Sequence, residues 1–292
     1  MKKVLALQGG GSWTSFTAGT LQELARNGQQ FQSFSGSSGG SIAGLIYWLG
    51  SAKNDFDFIE ETFDVLWDNI TVKGLLETYF LRSFLKMYEF HKVSPIPLMS
   101  VKFDYLPKLK TILENTIDFD ECRFYAEKTN KNLYVGSVNL RTGKPKIFTQ
   151  HNITSDMILA SSSLPQFCPP VEIDGEPYAD GLYSQNPPVL PFFTETKVPT
   201  EIVLVKIDNI EEFPVPKTKK DIEERLMGLT SVKTLETELN WVENVFPNTI
   251  INTIQLDPKE TGESSRIDTH TDVISKLRTH GKNQAINYLK KG

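Results

Sequence analysis

Apolar runs and helix-like patterns alternate along the first fifty residues. Residues 4–7 form a short apolar run, and residues 16–24 place apolar side chains at the spacing of one helix face. Residues 31–34 predict a second short strand, and the mostly apolar residues 41–49 predict a buried helix. The pattern therefore predicts two strand-turn-helix units that stand side by side.

The alternation of strands and helices continues in the rest of the chain. Residues 171–178 predict a β-hairpin, because the turn-forming pair Asp174-Gly175 lies between two extended segments. Beyond residue 190 the pattern predicts strands at residues 201–208 and 248–256 and helices at residues 218–242 and 270–290. This alternation of strands and helices is typical of an α/β protein.

The most informative motif is centred on Ser38. It lies in the sequence Gly-Ser-Ser-Gly-Gly at residues 36–40, the only frame in this segment that puts a glycine two residues before and two residues after a serine. Between a strand and a helix, this pattern forms a sharp turn that exposes a nucleophilic hydroxyl. Glycines are needed there because the turn is strained and crowded. Ser38 is therefore the predicted nucleophile.

A second glycine cluster, Gly9-Gly10-Gly11, follows the first predicted strand. Loops that follow parallel strands emerge at the same edge of a sheet, so we expect this cluster to lie beside Ser38. Its backbone N–H groups would then stabilise the oxyanion of an acyl-transfer intermediate. The alternative is a phosphate-binding loop, but Thr14 breaks the dinucleotide pattern and no Gly-Lys-Ser/Thr follows.

A serine nucleophile needs a base, and the histidines do not offer an obvious one. None of them has a local signature of a serine partner: His91, His151, His270 and His280. Asp180, in an Asp-Gly pair at the start of a loop after the predicted hairpin, is the better candidate. A carboxylate can take this role if burial raises its pKa towards neutral pH. Taken alone, an aspartate in this position is equally well explained as a turn or cap residue.

Together these motifs resemble the patatin-like phospholipases over roughly residues 2–190. The resemblance is carried by five segments in the family's order, at residues 9–11, 36–40, 160–165, 180–181 and 186–187. It implies an α/β fold in the form of a three-layer α/β/α sandwich with a mostly parallel central sheet. It also implies that Ser38 is the nucleophile, that Asp180 is its base, and that Gly9, Gly10 and Gly11 form the oxyanion hole.

The resemblance further implies hydrolysis of acyl esters of phospholipids, lysophospholipids or neutral lipids, in some members with acyl transfer, and no use of histidine, metal or cofactor. The chain departs from the family at two positions. Trp13 stands where the glycine loop normally carries arginine or lysine, and Leu182 stands where glycine or alanine usually follows Asp-Gly. The first change puts the loop geometry and any preference for charged headgroups in question. Neither change removes Ser38 or Asp180.

Several other functions stay open at the level of sequence. A Ser-His-Asp hydrolase is disfavoured because only one or two strands precede the serine turn, whereas several normally do. An acyl-carrier transferase would have a histidine next to the serine, but Ser37 and Gly39 flank Ser38. A catalytically inactive lipid-binding or interaction protein is a third class, for which Trp13 is the best argument. An esterase that acts on other esters is a fourth.

Composition sets the remaining expectations. The 292 residues, 39% of them apolar, can bury a large core, and no linker or repeat divides them, which predicts one domain over residues 1–292. Residues 55–106 are rich in aromatic side chains and form either core helices or an insertion that acts as a lid or acyl-chain pocket. Cys122 and Cys168 are expected to be free thiols.

Charge and hydropathy bear on partners and location. The net charge of −5 argues against nucleic-acid binding. No apolar stretch has the length of a signal peptide or membrane span, so a cytoplasmic location is expected, with non-classical secretion left open. The expected partners are a lipid or another acyl ester as substrate and, transiently, a membrane surface. The sequence does not identify an activating protein partner.

Overall fold

The computed structural model describes residues 1–73, 105–194, 200–208, 215–216, 219–262 and 264–291. The strands are β1 (Lys2–Leu7), β2 (Ser33–Ser37), β3 (Asn132–Asn139), β4 (Pro145–Thr149), β5 (Val171–Ile173), β6 (Glu176–Asp180), β7 (Thr200–Lys206) and β8 (Ile250–Gln255). The helices are α1 (Ser15–Arg26), α2 (Gly39–Lys53), α3 (Phe56–Ile70), α4 (Leu106–Thr116), α5 (Phe119–Ala126), α6 (Ser155–Ser162), α7 (Lys219–Val245), α8 (Pro258–Thr261) and α9 (Thr271–Leu289).

All eight described strands belong to one sheet. Its order is β5-β6-β3-β2-β1-β7-β8, and β4 pairs with the other edge of β3. The five strands β3, β2, β1, β7 and β8 run parallel, whereas β4, β5 and β6 pair antiparallel. The sheet is therefore mostly parallel, as predicted.

Helices cover both faces of the sheet because β1 alternates its side chains between two cores. Leu5 and Leu7 belong to a large apolar cluster that includes α1 and α2, whereas Val4 and Ala6 belong to a second cluster that includes Leu235 of α7. All four of these β1 side chains are fully buried. The result is the three-layer α/β/α sandwich expected from the resemblance.

Most predicted elements are confirmed, but the second strand is displaced. The apolar run at residues 31–34 predicted a strand there, whereas β2 begins at Ser33 and ends at Ser37. Phe31 is buried outside the strand, while the serines of β2 are buried within it, so the apolar run and the strand do not coincide. The hairpin is confirmed: β5 and β6 pair around Asp174 and Gly175, whose φ angles of 52° and 76° suit a tight two-residue turn.

Part of the aromatic stretch at residues 55–106 is core. The carboxylate of Asp55 accepts a hydrogen bond from the Phe58 amide at 2.9 Å and so starts α3, which buries Phe63 and Trp67. Residues 74–104 lie outside the described residues, so the prediction of a lid or acyl-chain pocket there stays a prediction. Across the described ranges, no helix combines the length and the apolar character needed to cross a bilayer. Cys122 and Cys168 are buried and form no disulfide bond in the described structure, as expected.

Candidate active site

Ser38 forms the turn between β2 and α2. Its φ and ψ angles are 55° and −133°, a combination that side chains rarely adopt. Asn54 and Asp174 are the other non-glycine residues with positive φ in the described part of the chain, and asparagine and aspartate tolerate that region more easily than serine does. Strain at Ser38 therefore marks a position that the surrounding structure holds in place.

Close backbone packing explains the glycines around Ser38. A Cβ atom on Gly36 would lie 2.2 Å from the carbonyl oxygen of Gly40, and a Cβ atom on Gly40 would lie 2.2 Å from the carbonyl oxygen of Leu7. Both distances are far below van der Waals contact. The turn thus fits against the end of β1 only with glycine at these two positions.

The hydroxyls of the neighbouring serines are committed to structural hydrogen bonds. Ser37 donates to the Gln185 carbonyl at 2.6 Å, and Ser41 donates to the Ser38 carbonyl at 2.6 Å. The amide of Ser38 donates to both the carbonyl and the hydroxyl oxygen of Ser161, each at 3.0 Å. The backbone of Ser38 is therefore fixed, while its own hydroxyl is not tied to a backbone carbonyl among the described residues.

The sheet brings Asp180 to the same edge as Ser38. Asp180 ends β6, which pairs antiparallel with β3 so that Asp180 lies opposite Ser137. Gly136, the residue before Ser137, pairs with Ser37 at the end of β2, so the ends of β6 and β2 meet along β3. The Asp180 amide donates to the Ser163 carbonyl at 2.9 Å, and its carboxylate Oδ1 accepts from the Leu182 amide at 2.8 Å.

Burial raises the proton affinity of the Asp180 carboxylate. The residue is fully buried, and loss of hydration raises the pKa of its carboxyl to about 7, although hydrogen bonds from the Leu182 amide and the Ser38 side chain oppose this rise. Asp180 Oδ2 has no partner at full hydrogen-bond geometry in the described structure, although the Ser38 side chain is close enough to lower the pKa of this carboxyl. Incomplete hydrogen-bond geometry of this kind is common between catalytic groups before substrate binds.

The glycine loop lies against the serine turn, as expected, but its amides are not equivalent. A Cβ atom on Gly9 would lie 2.4 Å from the carbonyl oxygen of Ser37 and 2.6 Å from the Cβ of Ser38, so Gly9 packs directly against the serine turn. The Gly9 amide already donates to Asn186 Oδ1 at 2.7 Å. Gly9, which was expected to supply an oxyanion donor, therefore has its N–H occupied in the described structure.

Three other amides remain available for an oxyanion. The N–H groups of Gly10 and Gly11 make no hydrogen bond to any described residue, nor does the N–H of Gly39, the residue after the serine. Gly39 is also the first residue of α2, where backbone amides lack helical partners and the helix dipole is positive. Sequence analysis did not propose Gly39, because a backbone amide leaves no side-chain signal.

Asn186 has a supporting role that sequence analysis did not assign. Its side-chain amide donates to the Ser231 hydroxyl at 2.8 Å while its oxygen holds Gly9. Gln8 donates to the same Ser231 hydroxyl at 2.9 Å, so α7 is linked to the start of the glycine loop. The Asn-Pro pair at residues 186–187 was noted only as part of the resemblance, and its contact with residue 9 spans most of the chain.

The described histidines make their hydrogen bonds away from Ser38. His151 lies near Glu127 and His270 pairs with Asp268, while His280 accepts a hydrogen bond from a backbone amide. His91 lies outside the described residues. The contacts found at Ser38 therefore favour Asp180 as its partner.

The two departures from the family pattern are accommodated. Leu182 is buried, and its amide is the group that holds Asp180. Trp13 is also buried, donates from its indole nitrogen to the Ser264 hydroxyl at 3.2 Å, and faces the guanidinium of Arg266 at 4.5 Å. The glycine loop thus has a cation beside it, but one that comes from a distant part of the sequence.

The sequence of this chain matches that of a known protein family. The sequence profile described as "Patatin-like phospholipase" matches residues 5–193, which is more than half of the chain and includes Ser38, Asp180 and the glycine loop. The chain belongs to the patatin-like phospholipase family. Among curated proteins, this patatin-like chain is 26% identical over 197 residues to the uncharacterized protein R571 of Acanthamoeba polyphaga mimivirus. That match covers 65% of this chain and 61% of the viral protein, so the chain spans less than two thirds of its relative's length.

Solved structures give more distant likenesses. VipD from Legionella pneumophila is 15% identical with a TM-score of 0.48, and the likeness covers 99% of this patatin-like chain and 67% of VipD. The type III effector protein ExoU is 13% identical with a TM-score of 0.39, covering 99% and 53% of the two chains. In the heterodimeric ExoU-SpcU complex of Pseudomonas aeruginosa, the likeness has 11% identity and a TM-score of 0.43, with coverages of 99% and 51%. Likenesses at this level say nothing about substrate.

Proposed function

We propose that this protein hydrolyses carboxylic esters of phospholipids or lysophospholipids through a Ser38-Asp180 dyad and an acyl-enzyme intermediate. The observation that carries the proposal is the pairing of a serine in a strained turn with a fully buried aspartate whose pKa is about 7. A base of this pKa is matched to proton transfer at neutral pH. Family membership supports the lipid ester as substrate class. Access to such a substrate implies transient contact with a membrane surface.

The chemistry follows from the geometry of the site. Ser38 Oγ attacks the ester carbonyl while Asp180 takes its proton, and the amides of Gly10, Gly11 and Gly39 stabilise the negative oxygen. Asp180 then gives the proton to the leaving alcohol, which leaves an acyl group on Ser38. Water, deprotonated by Asp180, attacks this acyl-enzyme. The bond between the acyl carbon and Ser38 Oγ breaks, Asp180 returns the proton to Ser38 Oγ, and the fatty acid is released.

The alternative of a catalytically inactive lipid-binding protein loses its main argument. That alternative rested on Trp13 in the glycine loop. The hydrogen bond of Trp13 goes to Ser264 and its ring faces Arg266, so its described contacts do not include Ser38 or Asp180. Its presence therefore does not block the proposed dyad.

Labelling with a fluorophosphonate tests for an activated serine. We expect the purified protein to form one covalent adduct, mapped by mass spectrometry to Ser38, because the hydroxyls of Ser37 and Ser41 are engaged with carbonyl oxygens. Ser38→Ala should give no adduct. A panel of phospholipids and lysophospholipids, with released fatty acid quantified, then tests the substrate class. An unlabelled, folded wild-type protein that releases no fatty acid would contradict the proposal.

The pH dependence of turnover should report Asp180. As a base, Asp180 is active only when ionised, so kcat/KM should be flat above about pH 7 and fall roughly tenfold per pH unit below it. Initial rates between pH 5 and 9 on one lysophospholipid measure this profile. Asp174→Asn, which alters an exposed carboxylate in the same hairpin, should leave it unchanged. A profile that stays flat down to pH 5 would rule out a base with this pKa.

A further inference from the structure

Arg266 lies directly against the glycine loop although it is distant in sequence. It belongs to the connection between α8 and α9. The Ser12 amide donates to the Arg266 carbonyl at 2.7 Å, and a Cβ atom on Gly11 would lie only 2.2 Å from the same oxygen. The Ser12 hydroxyl donates to the Ser265 carbonyl at 3.3 Å. The two segments are therefore joined along their backbones beside the proposed oxyanion donors.

The Arg266 side chain reaches the other side of the same loop. Its guanidinium faces the Trp13 ring at 4.5 Å, and its Nη1 lies 3.2 Å from the position that a Cβ on Gly10 would take. Its Nη2 forms an ion pair with Asp208, the second residue after the end of β7. The amide of Asp208 is held in turn by Gln8 Oε1 at 2.8 Å. Arg266 thus connects the loop to the end of the central sheet.

The buried ion pair between Arg266 and Asp208 is not the choice that folding stability alone would favour at this position. The Arg266 and Asp208 side chains are only 10% and 6% exposed, and Nε and Nη1 of Arg266 and Oδ2 of Asp208 have no hydrogen-bond partner in the described structure. Apolar side chains of similar volume are often as stable or more stable in place of a buried ion pair. Buried donors without partners add a further cost. The unpartnered nitrogens are also closed to solvent, so a dissolved anion could not reach them as the side chain now lies.

We propose that Arg266 is a positioning residue that holds the Gly10-Gly11 peptides in the geometry needed to stabilise the oxyanion. This inference rests on the proposed function, because it assigns Arg266 to the same reaction. The planar guanidinium stacks on Trp13 while its backbone carbonyl holds Ser12, so the loop is fixed at two points. Preorganised amides act on charge that develops only in the transition state, so loss of this support lowers kcat more than it raises KM.

The test compares Arg266→Met and Arg266→Lys with Arg278→Lys. Lysine keeps a cation for Asp208 but lacks the flat face that stacks on the indole, so Arg266→Lys is the variant that protects folding. Arg278 is a matched control, because it is also a C-terminal arginine that pairs with an aspartate, Asp64. We expect kcat of both Arg266 variants to fall at least about tenfold with KM within about twofold, and Arg278→Lys to match the wild type.

Hydrogen-deuterium exchange of residues 9–13 provides a readout that does not need turnover. Both Arg266 variants should take up deuterium faster than the wild type in this loop, with melting temperatures that show a folded protein. Unchanged exchange and unchanged kcat in folded Arg266 variants would overturn the inference, as would an equal loss of kcat in Arg278→Lys. If the wild type hydrolyses no ester, the proposed function fails. Unchanged loop exchange in the folded Arg266 variants would separately overturn the positioning role of Arg266.

Discussion

Asp180→Asn is expected to lower kcat/KM for lipid ester hydrolysis by at least about 1000-fold, and Ser38→Ala by a similar factor. The asparagine keeps an oxygen for the Leu182 amide, which Asp180 Oδ1 accepts at 2.8 Å, so the loop after β6 should keep its shape. It has no basic oxygen to take the serine proton. The two side chains act as one unit, so the double variant should be little worse than either single variant.

Fatty-acid release from a lysophospholipid, with product identified by mass spectrometry, measures this loss. Asp174→Asn is the matched control, because it makes the same chemical change in the same hairpin at an exposed position whose φ of 52° suits asparagine. Near-normal turnover in purified Asp180→Asn would remove Asp180 from the mechanism. Near-normal turnover in Ser38→Ala would remove the covalent route altogether.

The sequence was most informative where a motif is local. The turn at Ser38 and the triple glycine each lie between one strand and one helix, so the residues that form them are neighbours in the chain. The periodicity of residues 16–24 and 41–49 likewise found α1 and α2. The second strand was misplaced because β2 is buried on both faces and one of these faces carries only serines. Periodicity of apolar residues cannot detect a buried polar face.

The proximity of Ser38 and Asp180 could not be predicted from local pattern. It depends on β3, a strand for which sequence analysis made no prediction. The first part of β3, residues 132–136, pairs with β2, and the following residues 137–139 pair with β6. Only the resemblance suggested that the two residues meet. The contacts of Asn186 with Gly9 and of Arg266 with Trp13 span 177 and 253 positions, and such tertiary contacts leave no periodic signal.

The segment at residues 160–165 shows how a motif can have a structural role that its sequence does not reveal. Ser161 donates to the Gly136 carbonyl at 2.5 Å and accepts from the Ser38 amide, while the Ser163 carbonyl accepts from the Asp180 amide at 2.9 Å. One short segment therefore holds the backbone of both proposed dyad members. We expect this segment to set the distance between Ser38 and Asp180. The chemistry of its serine side chains alone would not suggest that role.

The protein is also expected to lose stability as pH rises because Asp180 is buried. Its folded pKa of about 7 lies above the value of about 3.9 for an unfolded aspartate, so the folded state binds the proton more tightly. The stabilisation from the protonated carboxyl is complete below about pH 4 and is lost as pH rises to about 7. Above that pH the carboxylate is ionised in both states, and the loss is complete.

Asp180→Asn removes this dependence, because the asparagine does not titrate. Relative to the wild type, the variant should gain about 3 kcal/mol in the free energy of unfolding between pH 5 and pH 8, from a slope of about 1.4 kcal/mol per pH unit between the two pKa values. Urea unfolding at several pH values in this range measures the difference. The exposed Asp174→Asn control should differ from the wild type by a nearly constant amount. A constant difference for Asp180→Asn as well would show that burial does not raise the Asp180 pKa, and the electrostatic basis for its role as a base would be lost.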